Sequence, residues 1–358
     1  MSEPRIGTST PDAARARRYR VSPRIAFRLA LIALIVTWTA GWQFAASKLD
    51  AALDQAIAAE AVQGIVVTCP DRRHAGYPFA LRIVCVKPSL TVAGAGGGVA
   101  RAAALSAGAS ILAPWRLGVE ATAPVEWTPA DSHLPAVRLA STAPVTAYVD
   151  LSASPPSAFG LRATDATATL TSPGAAPLAI RFDALDASGA TASGEPTKLD
   201  LALDLSRLAS PGLPAFGDAP VDGRARATLS AYPALASGTA PPLEAWRRAG
   251  GALAISALHA EQGATVLDAT GTLSLDAAHR VAGALDVEVV GAEALAARLG
   301  LPSAALALAG AFGGTAKPSA AKPGAAAAPA PLHLPLAFRD GAVTLGPLPL
   351  PVTLAPLY

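Results

Sequence analysis

The chain has 358 residues, of which 52% are hydrophobic, 15% charged and only 5% aromatic, and its formal net charge is +2. This length can bury a sizeable core, and the 31 glycines and 32 prolines favour many short elements separated by turns over long helices. The small charge, with no basic stripe interleaved with aromatic residues, argues against a nucleic-acid-binding protein.

An uncharged segment near the N-terminus predicts a membrane anchor. Six arginines occur between positions 15 and 28, and residues 29–47 carry no charge. That length suits a helix that crosses the hydrocarbon core, and tryptophans near its far end are typical of the membrane interface. We therefore predict a cytoplasmic basic tail at 1–28 and a transmembrane helix at 29–47. The anchor residues are Leu29, Trp38 and Trp42.

The arginines also predict the orientation of this helix. By the positive-inside rule the N-terminus stays in the cytoplasm and the C-terminal bulk lies in the periplasm, which makes the chain a single-pass protein of the cell inner membrane. The alternative is a cleavable signal peptide, which would export the same domain. Apolar residues four apart then extend the helix as a neck at 48–63.

The two cysteines of the chain, Cys69 and Cys85, each follow a short β-branched run. A turn at 76–78 lies near the midpoint between them and would bring the two sulfur atoms together. In an oxidising compartment we expect a disulfide, since the spacing is neither that of a CxxC redox motif nor that of a zinc site.

Alternation of apolar and polar residues dominates the long stretch that follows. Four leucines alternate with polar residues at 199–206, and similar runs occur at 273–276 and 285–289. Period-two runs separated by turn residues predict a curved, mostly antiparallel sheet with a few short helices, one of them at 243–248. We assign 64–312 to this β-rich periplasmic domain. One apolar sheet face would carry Leu199, Leu201, Leu203, Leu205, Leu273, Leu275, Leu285 and Val287.

The C-terminal part begins with a segment that cannot form a core. Residues 313–331 consist only of Gly, Ala, Pro, Lys, Ser and Thr, so we predict a flexible linker. Residues 332–358 then form a hairpin turning at Asp340-Gly341, followed by an apolar, proline-spaced tail that lies along a surface. Pro335 predicts that the first hairpin strand is an edge strand.

A search for reactive groups yields little. The five histidines are scattered, and neither an HExxH motif nor a GxSxG nucleophile elbow occurs. Aspartates such as Asp200, Asp204 and Asp286 fall on the alternating polar face, where solvation explains them. We therefore predict no catalytic, cofactor-binding or metal-binding residue, and hence a protein that is not an enzyme.

Several short motifs give the chain a family resemblance. An arginine-flanked anchor rich in tryptophan is followed by motifs in a fixed order: a cysteine, Gly76-Tyr77-Pro78-Phe79, a second cysteine, Trp246 with Gly250-Gly251, Asp268–Asp276, Asp340-Gly341 and Leu345-Gly346-Pro347. Over residues 30–358 the chain resembles domain-of-unknown-function family 2125 of Gram-negative bacteria, which has no assigned reaction. Its strands are more distantly similar to those of AsmA-like proteins, which implies an envelope protein linked to lipid traffic.

Two functions follow as hypotheses. In the first, the apolar sheet face binds or guides lipid, because an acyl chain gains roughly 25 cal/mol for each Å² that it buries. In the second, the protein is a structural or assembly protein of the envelope that contacts other proteins through an edge strand or the apolar tail. The sequence does not decide whether the sheet is an open groove or a closed sandwich.

Overall fold

A computed structural model describes residues 22–62, 64–94, 97–211, 219–236, 241–293, 297, 331–346 and 348–357. The chain divides into two compact units, Met1–Asp50 and Ala51–Tyr358, and the second contains every strand. Most of the basic tail and nearly all of the 313–331 linker lie outside the described residues, as does most of the sequence after Glu293.

One long helix, α1, covers Pro23–Val62. Its 40 residues correspond to a length of about 60 Å, and it is apolar and long enough to cross a membrane. An N-terminal helix of this character is therefore confirmed. It contains all three predicted anchor residues, and the Leu29 and Trp38 side chains are exposed in the protein itself.

Strands make up most of the second unit. Their bounds are β1 Ile65–Thr68, β2 Arg73–Ala75, β3 Ala80–Val86, β4 Ser89–Val92, β5 Gly98–Ser110, β6 Ala113–Pro129, β7 Ala136–Ser141, β8 Val145–Asp150, β9 Ala158–Thr171, β10 Leu178–Ala192, β11 Glu195–Leu208, β12 Val221–Leu229, β13 Leu253–Gln262, β14 Thr265–Leu275, β15 Val281–Val290, β16 Leu332–Arg339, β17 Ala342–Leu345 and β18 Leu348–Thr353.

These strands form one antiparallel sheet. From β9 to β18 each strand pairs with the next one in the chain. Nearer the N-terminus, β3 and β4 lie end to end along β5, and β7 and β8 lie end to end between β6 and β9. The predicted mainly antiparallel β fold is confirmed.

Two short helices connect β12 to β13. A 3₁₀ helix at Tyr232–Ala236 is followed by α2 at Pro242–Arg248, where the sequence predicts a short helix. The glycine stop is also present, because Gly250 has a φ of +68° and its N–H bonds the carbonyl of Arg247.

A line of irregularities crosses the C-terminal half of the sheet. The pairing register of β13 shifts against both of its neighbours near Ile255. Ile255 pairs with Gly271, and Gly271 and Gly283 have φ values of +153° and +138° on adjacent strands. Bulges and glycines of this kind are the usual means by which a sheet bends, so we attribute these glycines to backbone geometry.

The cysteine region forms a disulfide, but its strands pair differently from the prediction. Cys69 and Cys85 are bonded, with their Cα atoms 5.2 Å apart. The turn between them joins β2 to β3, whereas the β-branched run of β1 pairs with β4 instead of with β3. The disulfide therefore ties the segment after β1 to the C-terminal end of β3, although β1 and β3 are not paired.

Loss of this disulfide is expected to destabilise the sheet. Because the bond closes a loop with a sequence separation of 16 residues, the double variant Cys69→Ala/Cys85→Ala should lose about 3 kcal/mol of unfolding free energy. Urea titration of the purified full chain measures this loss. Wild-type protein that has been reduced and alkylated is the control and should behave as the variant does, and an unchanged midpoint in both would contradict the prediction.

The C-terminal strands correct one prediction. Strand β16 pairs with β15 on one side and β17 on the other, so the prediction of an edge strand at Pro335 was wrong. The carbonyl of Pro335 accepts the N–H of Gly346, just beyond the end of β17. Pro335 therefore lies opposite a residue beyond the last pair of the β16–β17 ladder, so its lack of an N–H costs no hydrogen bond within that ladder.

The apolar tail is part of the sheet. Strand β18 pairs with β17, after which the N–H of Leu354 bonds the carbonyl of Gly341. Farther along, the N–H of Leu357 bonds the carbonyl of His279 at 3.0 Å. The tail thus lies extended along the molecule, as its spacing of leucines and prolines predicts.

The apolar sheet face as candidate functional site

The register of the sheet brings the predicted apolar residues onto one face. Residues directly opposite in an antiparallel pair point to the same side. Leu203 of β11 pairs with Ala187 of β10, and Ala187 pairs with Leu161 of β9. On the other side Leu285 of β15 pairs with Leu336 of β16. The predicted residues in β11, β14 and β15 follow this register.

We call this side the apolar face, and it continues across the sheet from β3 to β17. With strands about 4.8 Å apart, the stretch from β5 to β16 measures roughly 50 Å in the hydrogen-bonding direction. Besides the predicted residues, the register adds Leu81, Ile83, Leu105, Leu117, Val119, Val145, Val149, Phe159, Leu161, Leu185, Leu229, Leu253, Ile255, Leu258, Leu267, Val289, Leu334, Leu336, Phe338, Val343 and Leu345.

Two separate parts of this face are packed. Ala269, Val287 and Val289 form a buried cluster on β14 and β15, and Ala292, which follows β15, packs against it. Leu199 lies on β11, the strand that contacts the 3₁₀ helix at Tyr232–Ala236, and is only 2% exposed. The predicted residues Leu199 and Val287 are therefore core residues.

The middle of the face is open. Leu161 and Leu203 are each 40% exposed, although β9 and β11 are central strands with partners on both sides. Most of the other side chains on the face, including Leu201, Leu205, Leu273, Leu275 and Leu285, are neither fully buried nor fully exposed. A closed sandwich would bury these positions, since its two layers interdigitate.

The opposite, polar face is covered by ion pairs between strands. Such exposed pairs stabilise a sheet weakly and keep its outer surface soluble. Three of them join directly paired residues: Arg162–Asp186, His259–Asp268 and His333–Glu288. Arg226–Asp204 is a diagonal pair between β11 and β12, and Arg82–Glu120 reaches across β5.

Two open cavities of about 760 and 380 Å³ lie on this polar face. They share Asp186 and Asp204, which pair with Arg162 and Arg226 respectively. Charges that neutralise each other in this way resemble a solvated surface more than a pair of groups poised for proton transfer. Within the described ranges no three His, Cys, Asp or Glu residues are grouped to hold a metal ion.

A second polar cluster lies beside α2, at the end of the sheet where β14 turns into β15. Glu244 is only 8% exposed and binds Arg247 through both carboxylate oxygens, at 2.8 Å each. It also pairs with Arg248, and His279 lies 3.3 Å away. The buried carboxylate is thus held among three basic groups, which joins α2 to the turn after β14.

Two of the resemblance motifs, Trp246 with Gly250-Gly251 and the segment ending at Asp276, lie at this same end. Trp246 is 6% exposed, its indole N–H donates to the carbonyl of Ser230 at 2.7 Å, and its ring covers Gly251. Asp276 closes the turn after β14 by accepting the backbone N–H of Arg280, and this bond lowers the pKa of Asp276. These motifs therefore connect α2 and the turn after β14 to the end of the sheet, and we call this region the joint.

Comparison with known families identifies the family of this chain. A family model described as an uncharacterized protein conserved in bacteria (DUF2125) matches residues 42–353, most of the chain. The chain belongs to this family. No curated protein and no solved structure matches it, so the similarity to AsmA-like proteins stays a prediction. The family match includes the disulfide, the open part of the apolar face and the joint.

Sequence reasoning missed several residues that this geometry singles out. Glu244 was assigned to the short helix without a role, although an acid three and four positions before two arginines is a recognisable signal. Leu161 on β9 is a second such residue, because its exposure depends on what lies above the face. No local pattern carries that information.

Proposed function

We propose that this protein is a non-catalytic, membrane-anchored envelope protein that binds lipid acyl chains along the open part of its apolar face. In this proposal α1 crosses the inner membrane once, with the arginine-rich tail in the cytoplasm and the sheet in the periplasm. The disulfide supports an oxidising compartment for the sheet.

The observation that carries the proposal is the exposure of leucines in the centre of the sheet. Leu161 and Leu203 flank Ala187 in one row across β9, β10 and β11, and all three lie on the same face. Exposed apolar surface of this extent in central strands usually has a partner that removes it from water. Each Å² covered by an acyl chain is worth roughly 25 cal/mol.

The alternative, an assembly protein that acts through its tail or an edge strand, has less support. The tail is already paired as β18 and bonded to the turns at Gly341 and His279. A segment held in this way would have to leave the sheet before it could bind another protein.

Photocrosslinking inside cells tests the proposal. Benzoylphenylalanine at Leu203 should form adducts with phospholipid, detected as radioactive phosphate on the purified full chain. The matched control is the same group at Asp204, the next residue, which points to the polar face and should give no adduct. A second test places benzoylphenylalanine at Leu161. The variant Leu203→Glu, which introduces a charge on the face, should abolish the lipid adducts formed from position 161.

The outcome that contradicts lipid binding is equally definite. If positions 203 and 204 both remain free of labelled phosphate while 203 crosslinks to a protein, the apolar face is a protein-binding surface and the assembly role replaces the proposed one.

A further inference from the structure

A patch of exposed apolar side chains lies at one end of the sheet. Phe79 is 63% exposed, Ile111 41%, Leu112 81%, Trp115 48% and Leu151 54%. We call these five residues the tip patch. They come from three segments: the turn before β3, the turn between β5 and β6 with the start of β6, and the residue after β8.

Backbone hydrogen bonds hold these segments together. The N–H of Ile111 bonds the carbonyl of Phe79 at 3.0 Å, and the N–H of Leu151 bonds the carbonyl of Trp115 at 2.7 Å. The N–H of Leu112 bonds the hydroxyl of Ser110 at 3.2 Å. These three amide groups therefore do not need water, which is the condition for placing a turn in an apolar medium.

The tip patch continues the apolar face. Arg116 pairs with Asp150, so Trp115 and Leu151 lie opposite each other one position farther along the same two strands. They extend the row formed by Leu117 and Val149. Arg116 itself lies on the other face, where it pairs with Asp150 and covers the ring of Tyr148, so this charge is neutralised.

The last turns of α1 belong to the second unit and run beside its N-terminal strands. Asp54 bonds Arg72, which precedes β2 at the level of Cys85. Eight residues after Asp54 the helix ends at Val62, and Gly64 bonds Ala93 beside the opposite end of β5, at Gly98. Residues 51–62 thus run away from the Ser110 end. Within this unit the chain therefore begins nearer the end that carries the tip patch, and the helix ends nearer the Gly98 end.

From these observations we infer that the tip patch inserts into the interface of the lipid bilayer that α1 crosses. Tryptophan and phenylalanine at the rim of an aliphatic surface are typical of membrane interfaces. The inference rests on the proposed function and deepens it, because insertion opens one mouth of the apolar face directly to the acyl chains of that membrane.

Fluorescent labels on the full chain test this position. The native cysteines are joined in a disulfide, so an introduced thiol alone reacts. The variants Leu112→Cys and Leu134→Cys carry the label NBD in nanodiscs of phosphatidylethanolamine and phosphatidylglycerol that hold one copy each. Leu134 is the matched control, since it is also an exposed leucine in a turn but lies at the Gly98 end.

The expected result is a blue-shifted emission at position 112 that spin-labelled lipid quenches several-fold and aqueous iodide does not, with the reverse at position 134. The variant Leu151→Cys should repeat the result for position 112. If positions 112 and 151 respond to iodide as position 134 does, the inference is overturned. A blue shift without quenching by lipid would mean that protein covers the patch, and this also overturns it.

The two proposals can fail separately. The label reports the position of the tip whether or not lipid occupies the face, while the crosslink at Leu203 reports occupancy wherever the tip lies. If the tip patch lies in lipid but position 203 gives no adduct, the lipid-binding role of the apolar face is excluded and the insertion of the tip patch into the bilayer stands.

Discussion

Replacement of Trp246 by alanine is expected to lower the free energy of unfolding by about 3–5 kcal/mol, the range for a buried tryptophan. Trp246 is 6% exposed, and its ring lies against Gly251, where an added Cβ atom would overlap it. The indole also supplies the hydrogen bond to Ser230, which links α2 to the end of β12. Removal of the ring leaves a cavity and an unmatched carbonyl, and α2 loses its hydrogen bond to the residue that follows β12.

The matched control for this variant is Trp115→Ala. Trp115 is 48% exposed, so its loss should change stability by less than about 1 kcal/mol. The variant Trp246→Phe separates packing from hydrogen bonding, because it keeps most of the ring and removes the donor. Urea titrations of the three full-length variants give the comparison, and equal midpoints for the alanine variants at 246 and 115 would show that α2 does not hold the end of the sheet.

Substitution of Gly271 by alanine is the second large effect, with an expected loss of about 2–5 kcal/mol. The φ of +153° at Gly271 is a strained conformation for any other residue, which costs about 1–3 kcal/mol. An added Cβ atom would also overlap the carbonyl oxygen of Ala284 on β15. Since that oxygen belongs to the paired strand, relief requires the two central strands to separate.

Gly118→Ala is the control for this prediction. Gly118 also lies within a strand, β6, but an added Cβ would meet only the carbonyl of Gly108, at 3.7 Å, and its φ is not positive. Its replacement should be neutral or slightly stabilising. Thermal unfolding followed by circular dichroism distinguishes the two, and a Gly271→Ala protein as stable as Gly118→Ala would mean that β14 adjusts freely.

The elements that could be predicted from sequence are those whose signals are local. The leucines at 199–205 alternate with polar residues, and their register does place them on one face. The Asp340-Gly341 turn is also confirmed, because both residues have positive φ values, 52° and 80°, as a two-residue hairpin turn requires. The helix Pro242–Arg248 ends where its glycines predict.

What the sequence did not reveal depends on contacts between distant segments. The hydroxyl of Tyr232 bonds the carbonyl of Pro156, which is 76 positions away. The pairing of β1 with β4 and the presence of Pro335 in an inner strand also depend on distant segments, because both are determined by where neighbouring strands end. Which leucines of the apolar face are covered is likewise a tertiary property, so Leu199 and Leu203 differ in exposure although their local sequences are alike.

The last strand of the sheet has a consequence for solubility. Strand β18 contains Pro349 and Pro351, and a proline has no N–H to offer to a further strand. An edge strand with free N–H and C=O groups can otherwise pair with the edge of another molecule, which leads to aggregation. These two positions therefore offer no donor to an incoming strand, which makes this edge of the sheet a poor template for pairing with another molecule.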